Sequence, residues 1–173
     1  MRLPPGVTIR AGTTGDAPFI CRVHEESIRG LGPRAYSRAE VESWVAGLQP
    51  DRYAWGMTHG GYIYFVAEVP GTGVIGFCCY VAGEVMALYI LPEWTRRGIG
   101  SALLGRAERG IGAAGHERIR LVAALNSVGF YSARGYREIR RRDWKTRGGL
   151  IVTAVDMEKP ACPTPAARDR GRR

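Results

Sequence analysis

The sequence predicts one α/β domain: a sheet containing an antiparallel meander, flanked by helices. Three observations carry this. The chain has 173 residues, enough for one domain with a proper core and short for two. Strand-like runs and runs of helical apolar spacing follow one another along it. In its middle, three strand-like runs are joined only by short turns, which makes them successive antiparallel partners.

Taken in order, Val7–Arg10 reads as a short first strand. Thr14-Gly15-Asp16 then offers a helix N-cap, and Phe19, Ile20, Val23, Ser27, Ile28 and Leu31 recur at helical spacing. Gly30 and Gly32-Pro33 stop that helix. A second begins at Ser37, where Ser37-Arg38-Ala39-Glu40 is a capping box. Its apolar face is Val41, Trp44, Val45 and Leu48, and Pro50 closes it. The meander follows: Tyr62–Val69 to the turn at Pro70-Gly71, Val74–Val81 to Ala82-Gly83, and Glu84–Leu91 to Pro92. Gly98 to about Ala114 is a helix whose stripe is Ile99, Leu103, Ala107 and Ile111. Ile119–Ala124 is a strand, Ser127–Ala133 a short helix, and Tyr136–Arg142 with Gly149–Met157 a last strand pair. The domain is expected to span residues 1–159. Residues 160–173, rich in Pro, Ala and Arg, read as a disordered basic tail.

Composition is that of a soluble globular chain, 45% apolar and 24% charged. No apolar run reaches the length of a membrane span, and the first eight residues lack an apolar signal-peptide region. The four cysteines, Cys21, Cys78, Cys79 and Cys162, form no C-x-x-C pair. Cys78 and Cys79 are adjacent in a strand, so they face opposite ways and cannot share a metal. No metal is expected, and a reducing, cytoplasmic setting is the simplest account. The net charge is +9, with a dense basic stretch at Arg134–Arg147. Such a surface favours polyanions, phosphate-rich cofactors among them. Helix-turn-helix spacing, zinc-finger ligands and stacking-sheet motifs are missing, so neither nucleic acid nor membrane is expected as a partner.

The segment that carries chemistry runs from Leu88 to Leu104: a strand, a basic glycine loop, then a helix. The first backbone N–H groups of a helix lack partners and carry partial positive charge. Glycines let a phosphate approach them closely, and Arg96 and Arg97 add charge. Together they form a diphosphate cradle. A literal G-x-G-x-x-G at Gly110–Gly115 ends a helix and precedes a strand, the reverse of the dinucleotide fingerprint, and reads as a helix C-cap and turn. A second segment, Leu125–Tyr136, contains Asn126, placed to cap the short helix, and the adjacent Phe130 and Tyr131. Those two rings diverge by about 100° on a helix, so one can pack inward while the other offers its hydroxyl to a cleft.

These two segments resemble the acetyl-CoA motifs of the GNAT superfamily. Thr95-Arg96-Arg97-Gly98-Ile99-Gly100 resembles motif A, usually written Q/R-x-x-G-x-G/A, with Thr95 standing where Gln or Arg is usual. Asn126, Phe130-Tyr131 and Gly135-Tyr136 resemble motif B. The resemblance runs from residue 7 to about 159. It implies a mixed, mostly antiparallel sheet that splays near the strand ending at Ile90, with the pantetheine arm in the split. Leu88, Tyr89 and Ile90 would line that arm. The N–H groups of Arg96, Arg97, Gly98, Ile99, Gly100 and Ser101 would hold the diphosphate, with Asn126 and Tyr131 completing the contacts. Ser27-Ile28-Arg29, Tyr36-Ser37 and Trp44 look like a bacterial subgroup of unassigned substrate. Acetyl-CoA is the implied co-substrate, and the acceptor is a small-molecule or protein amine; dimers are common in the family, which leaves a homodimer open. Tyr131 matches the family's proton donor to the departing thiolate. Glu84, opening the strand beside the thioester, is the candidate base, and His24, Glu25 and Glu26 on the first helix are alternatives. The competing reading is an acyl-CoA-binding module without catalysis.

Overall fold

The computed structural model describes residues 3–162. Its strands are β1 (Thr8–Ala11), β2 (Ile63–Val69), β3 (Gly73–Val81), β4 (Glu84–Ile90), β5 (Arg118–Ala124), β6 (Arg137–Lys145) and β7 (Ile151–Pro160). Its helices are α1 (Ala17–Leu31), α2 (Arg38–Val45), α3 (Pro50–Thr58), α4 (Ile99–Ala113) and α5 (Val128–Ser132). The strands form one sheet in the order β1-β2-β3-β4-β5-β7-β6. Every neighbouring pair is antiparallel except β4–β5, which is parallel.

The β4–β5 pair is the irregularity that matters. It holds at only two positions, Glu84 with Arg120 and Val85 with Leu121. Just beyond, Met86 has no partner on β3, because Cys79 pairs with Ala87 and Tyr80 with Val85. An extra residue of this kind bends its strand and sharpens its twist. From Met86 onward β4 therefore follows β3 and leaves β5, so the sheet opens into a V.

Alternation along β3 places α1 and α4 on opposite faces. Phe77 packs edge-on to His24 of α1. A Cβ at Gly76 would meet Leu103 of α4, and one at Gly110 of α4 would collide with the Tyr80 ring. Ile20 and Val23 of α1 and Leu103, Leu104, Ala107 and Ile111 of α4 are fully buried against the sheet. A second, smaller cluster gathers Ile28, Tyr36, Val41, Trp44, Val45 and Val152, which fastens α2 to the end of β7.

The predicted elements are present, with four differences. Thr14–Asp16 is a short 3₁₀ turn and α1 starts after it; Asp16 accepts from the Thr13 N–H at 2.8 Å and closes that turn. The capping box at Ser37 and Glu40 forms as expected. Its helix stops at Val45, however, and Pro50 opens a further helix, α3. Proline suits a first helical turn, where its missing N–H costs nothing, and Gly47 at φ +70° makes the break. Asn126 does not cap the short helix: its amide donates to the Leu31 carbonyl at 2.9 Å, tying the β5–α5 turn to α1.

The domain also extends past Lys159. Strand β7 continues to Pro160, and the buried Ala161 donates its N–H to the Glu117 carbonyl at 2.8 Å. The Cys162 carbonyl lies where a side chain on Gly112 would stand. The rest of the tail expected to be disordered, residues 163–173, lies outside the described residues.

Candidate active site

The V between β4 and β5 is a cleft of about 690 Å³. One wall is β4 from Val85 to Ile90, and the other includes Val122 and Ala124 of β5. The start of α4 and the side of α5 close one end. Arg34 of the α1–α2 connection and Trp44 of α2 line the cleft too. Leu88, Tyr89 and Ile90 line it, and their strand has no β5 partner over this stretch. The Ser27 hydroxyl donates to the Ile90 carbonyl at 2.8 Å and fixes the end of β4 against α1.

At the α4 end, Gly98 precedes the first helical residue at φ +83°, a left-handed geometry that glycine adopts without a Cβ clash. Arg96 is also left-handed, at φ +62°. Thr95 turns its hydroxyl to the Pro92 carbonyl at 2.8 Å and so holds the preceding turn. The helix ladder begins with the Ala102 N–H on the Gly98 carbonyl, which leaves the N–H groups of Ile99, Gly100 and Ser101 without helical acceptors. Gly98, Gly100, Ser101 and Arg96 all line the cleft. Arg97 does not; its guanidinium stacks over Trp94 at 4.9 Å. The Ile99 side chain is in the core, so only its backbone faces the loop.

Arg134 completes this end, and the sequence reading passed over it as one member of a basic stretch. It lies 3.7 Å from the centre of the Phe130 ring. It donates to the Phe130 carbonyl at 2.6 Å and to the Ser101 hydroxyl at 3.0 Å. Among the described residues it pairs with no carboxylate. Burial pulls its guanidinium below the usual value, against the nearby Glu108. A cation held at the positive end of a helix dipole is unfavourable alone and favourable with an anion between them. Three N–H groups without helical acceptors, Arg96 and Arg134 are thus placed where they could hold an anion. The available signal for Arg134 was its position four residues beyond Phe130, just past the end of a short helix.

Tyr131 is buried, lines the cleft, and packs edge-on against Phe130 at 5.1 Å and Tyr136 at 5.6 Å. Burial raises its phenol above the ordinary value, so it is neutral at any physiological pH. Among the described residues its hydroxyl has no hydrogen-bond partner. Asn126 lines the cleft as well as bridging to Leu31.

The expected bases are not gathered in. Glu84 stands one residue outside the lining, at the closed end of the V where β4 and β5 are still paired. His24 is buried behind Tyr89, its ring 4.0 Å from that ring. Its Nδ1 bonds the Tyr53 hydroxyl at 2.8 Å, and its Nε2 has no partner. Burial, helped by the Arg147 charge, pushes its imidazole down to about 3. Glu25 pairs with Arg29 and Glu26 with Arg22 along the exposed side of α1. Among the described residues, the cleft lining contains no Asp, Glu or His. Among the described residues no group of three or more His, Cys, Asp or Glu side chains gathers as a metal site.

Solved N-acetyltransferases share this fold. Residues 60–138 match the profile of the acetyltransferase (GNAT) domain. The uncharacterized N-acetyltransferase YafP of Escherichia coli K12 is 22% identical over 154 residues, covering 89% of this chain and 97% of that protein. The structure of a GCN5-related N-acetyltransferase from Rhodopseudomonas palustris superposes with a TM-score of 0.82 at 23% identity, covering 92% of this chain and 98% of that one. The PaiA N-acetyltransferase of Thermoplasma acidophilum, solved with coenzyme A, does so with a TM-score of 0.66 at 25% identity, over 89% and 98%.

Proposed function

We propose that the chain transfers an acetyl group from acetyl-CoA to a primary amine by direct attack within the β4–β5 cleft. The observation that carries this is the candidate anion site at the α4 start, joined in one cleft to five residues of β4 without a β5 partner. The first fits a diphosphate, and the second offers strand backbone to a pantetheine arm. Coenzyme A in the Thermoplasma relative supports the same ligand here.

In this reading the N–H groups of Ile99, Gly100 and Ser101, with Arg96 and Arg134, hold the diphosphate. Leu88, Tyr89 and Ile90 position the arm, and Asn126 keeps the β5–α5 turn at the cleft edge. Tyr131 gives its proton to the departing thiolate, which resembles a cysteine thiolate with a pKa near 8.5. An aliphatic amine with a pKa of about 10.4 must first be deprotonated. Among the described residues the lining has no carboxylate or imidazole, so we assign that proton to water, relayed toward Glu84, the carboxylate next along β4. Thiol release from acetyl-CoA over an amine panel tests the reading. Binding of acetyl-CoA without turnover on any amine would instead favour an acyl-CoA-binding module.

A further inference from the structure

The acceptor side of the cleft has a chemical character that the proposed reaction does not use. Pairing across β5, β7 and β6 puts three rows of side chains on one sheet face. They are Arg120, Glu158 and Arg137; then Val122, Asp156 and Arg140; then Ala124, Ala154 and Arg142. Trp144 and Val152 continue the same face and are covered by α2. It is therefore the α1–α2 side of the sheet, and it meets the cleft directly, since Val122 and Ala124 line both.

The face is open and arginine-rich. Arg118, Arg120 and Arg137 share the single carboxylate of Glu158, and Arg140 and Arg142 share Asp156. All five arginine side chains are at least 40% exposed. Glu84 borders the face opposite Arg120, and Arg34 borders the cleft from the α1–α2 connection. Six guanidinium groups thus stand against three carboxylates. Each guanidinium has five donors, more than the carboxylates here can occupy. With strands about 4.8 Å apart and residues about 3.3 Å along them, the patch covers roughly 10 by 13 Å. It is open and edged by β6, whose residues are exposed except for Trp144. Small-molecule sites enclose most of their ligand; an open charged face fits a larger partner.

We propose that the acceptor is a polypeptide amine flanked by acidic residues, docked on this arginine face so that the amine enters the cleft beside Val122. The inference rests on the acetyl-transfer reading. Side chains of Glu or Asp take the guanidinium donors left free, and charge complementarity raises the encounter rate more than the residence time. A polyamine, carrying only positive charge, is turned away by the same field.

The test uses the full chain and three peptides of one length with free amino termini: Glu-rich, its Gln counterpart and its Lys counterpart. Thiol release is measured at saturating acetyl-CoA, with acetyl-CoA affinity measured separately by calorimetry. The Glu peptide should show the highest kcat/KM, falling steeply with salt. The Arg120→Gln/Arg140→Gln variant should lose roughly tenfold or more in that kcat/KM, within the range electrostatic steering supplies. Its acetyl-CoA affinity and Tm should be unchanged. Arg141→Gln, on the opposite face of β6, should change nothing. Preference for the Gln or Lys peptide, full activity in the double variant, or no peptide acetylation by a chain that binds acetyl-CoA would each overturn the inference. Failure to bind acetyl-CoA would overturn the underlying reading as well.

Discussion

Replacing Tyr131 by Phe separates chemistry from packing at the heart of the cleft. The ring's contacts with Phe130 and Tyr136 are edge-on and do not involve the hydroxyl. Among the described residues that hydroxyl has no hydrogen-bond partner, so its removal leaves no protein group unsatisfied. The cost in stability should stay below about 1 kcal/mol, the net value of an ordinary hydrogen bond. In a domain of this size that is a Tm shift of no more than roughly 2–4 °C. A proton donor in the transition state, by contrast, contributes about 10²–10⁴ in rate, or about 3–5 kcal/mol at 1.36 kcal/mol per decade. Burial keeps Tyr131 protonated, so the donor is present across the whole working pH range. Turnover by thiol release, acetyl-CoA affinity by calorimetry and Tm should be measured on the same preparation. The expected result is a kcat at least a hundredfold lower, with affinity and Tm near wild type. Full kcat in the variant would refute the assignment. A loss of activity matched by a loss of folded protein would make Tyr131 a core aromatic.

Three other outcomes follow from the geometry. Gly98→Val should weaken acetyl-CoA binding at least tenfold while the chain remains folded, because a β-branched residue is strained at φ +83° and crowds the loop; calorimetry reads it. Acid should destabilise the fold in two steps. His24, pushed down from 6.5 to about 3 by burial, contributes stability that is complete above pH 6.5 and lost as pH falls toward 3. Asp16, lowered from 3.8 to about 2 by Arg10, adds stability that disappears between pH 4 and 2. Denaturant midpoints across pH should show both windows, and Asp16→Asn should remove the second. Truncation after Cys162 should leave Tm unchanged, whereas truncation after Lys159 should lower it, since it deletes the buried Ala161 and its bond to Glu117.

The fold was largely legible because its elements have local signals. Ser37 and Glu40 announced α2, the short turns announced the meander, and Gly98 announced the start of α4. Pro50 misled because proline reads equally as the end of one helix or the first residue of the next; the tie was broken by Gly47, whose left-handed backbone is not visible in sequence. The β4–β5 opening depends on Met86 lacking a partner, which is a matter of register between strands and leaves no pattern in either. At the site, backbone features transferred well and side-chain roles less so. Gly98 and Gly100 sit where the motif placed them. Adjacency in sequence singled out Arg97, while the Trp94 and Phe130 rings decided where the Arg97 and Arg134 guanidinium groups lie. Glu84 lies on the expected strand but at its closed end, a position fixed by where β5 begins to pair.

Acetyl-CoA titrated into the wild-type chain, followed by calorimetry and by Tm, addresses the central claim most directly. The account predicts saturable binding and a Tm that rises with ligand concentration, by about 2.7 kcal/mol of stabilisation at a hundred times the dissociation constant. Arg134→Ala should weaken that binding at least tenfold. A chain that stays folded yet shows neither heat nor a Tm shift at saturating acetyl-CoA would contradict the assignment of the β4–β5 cleft as the acyl-donor site.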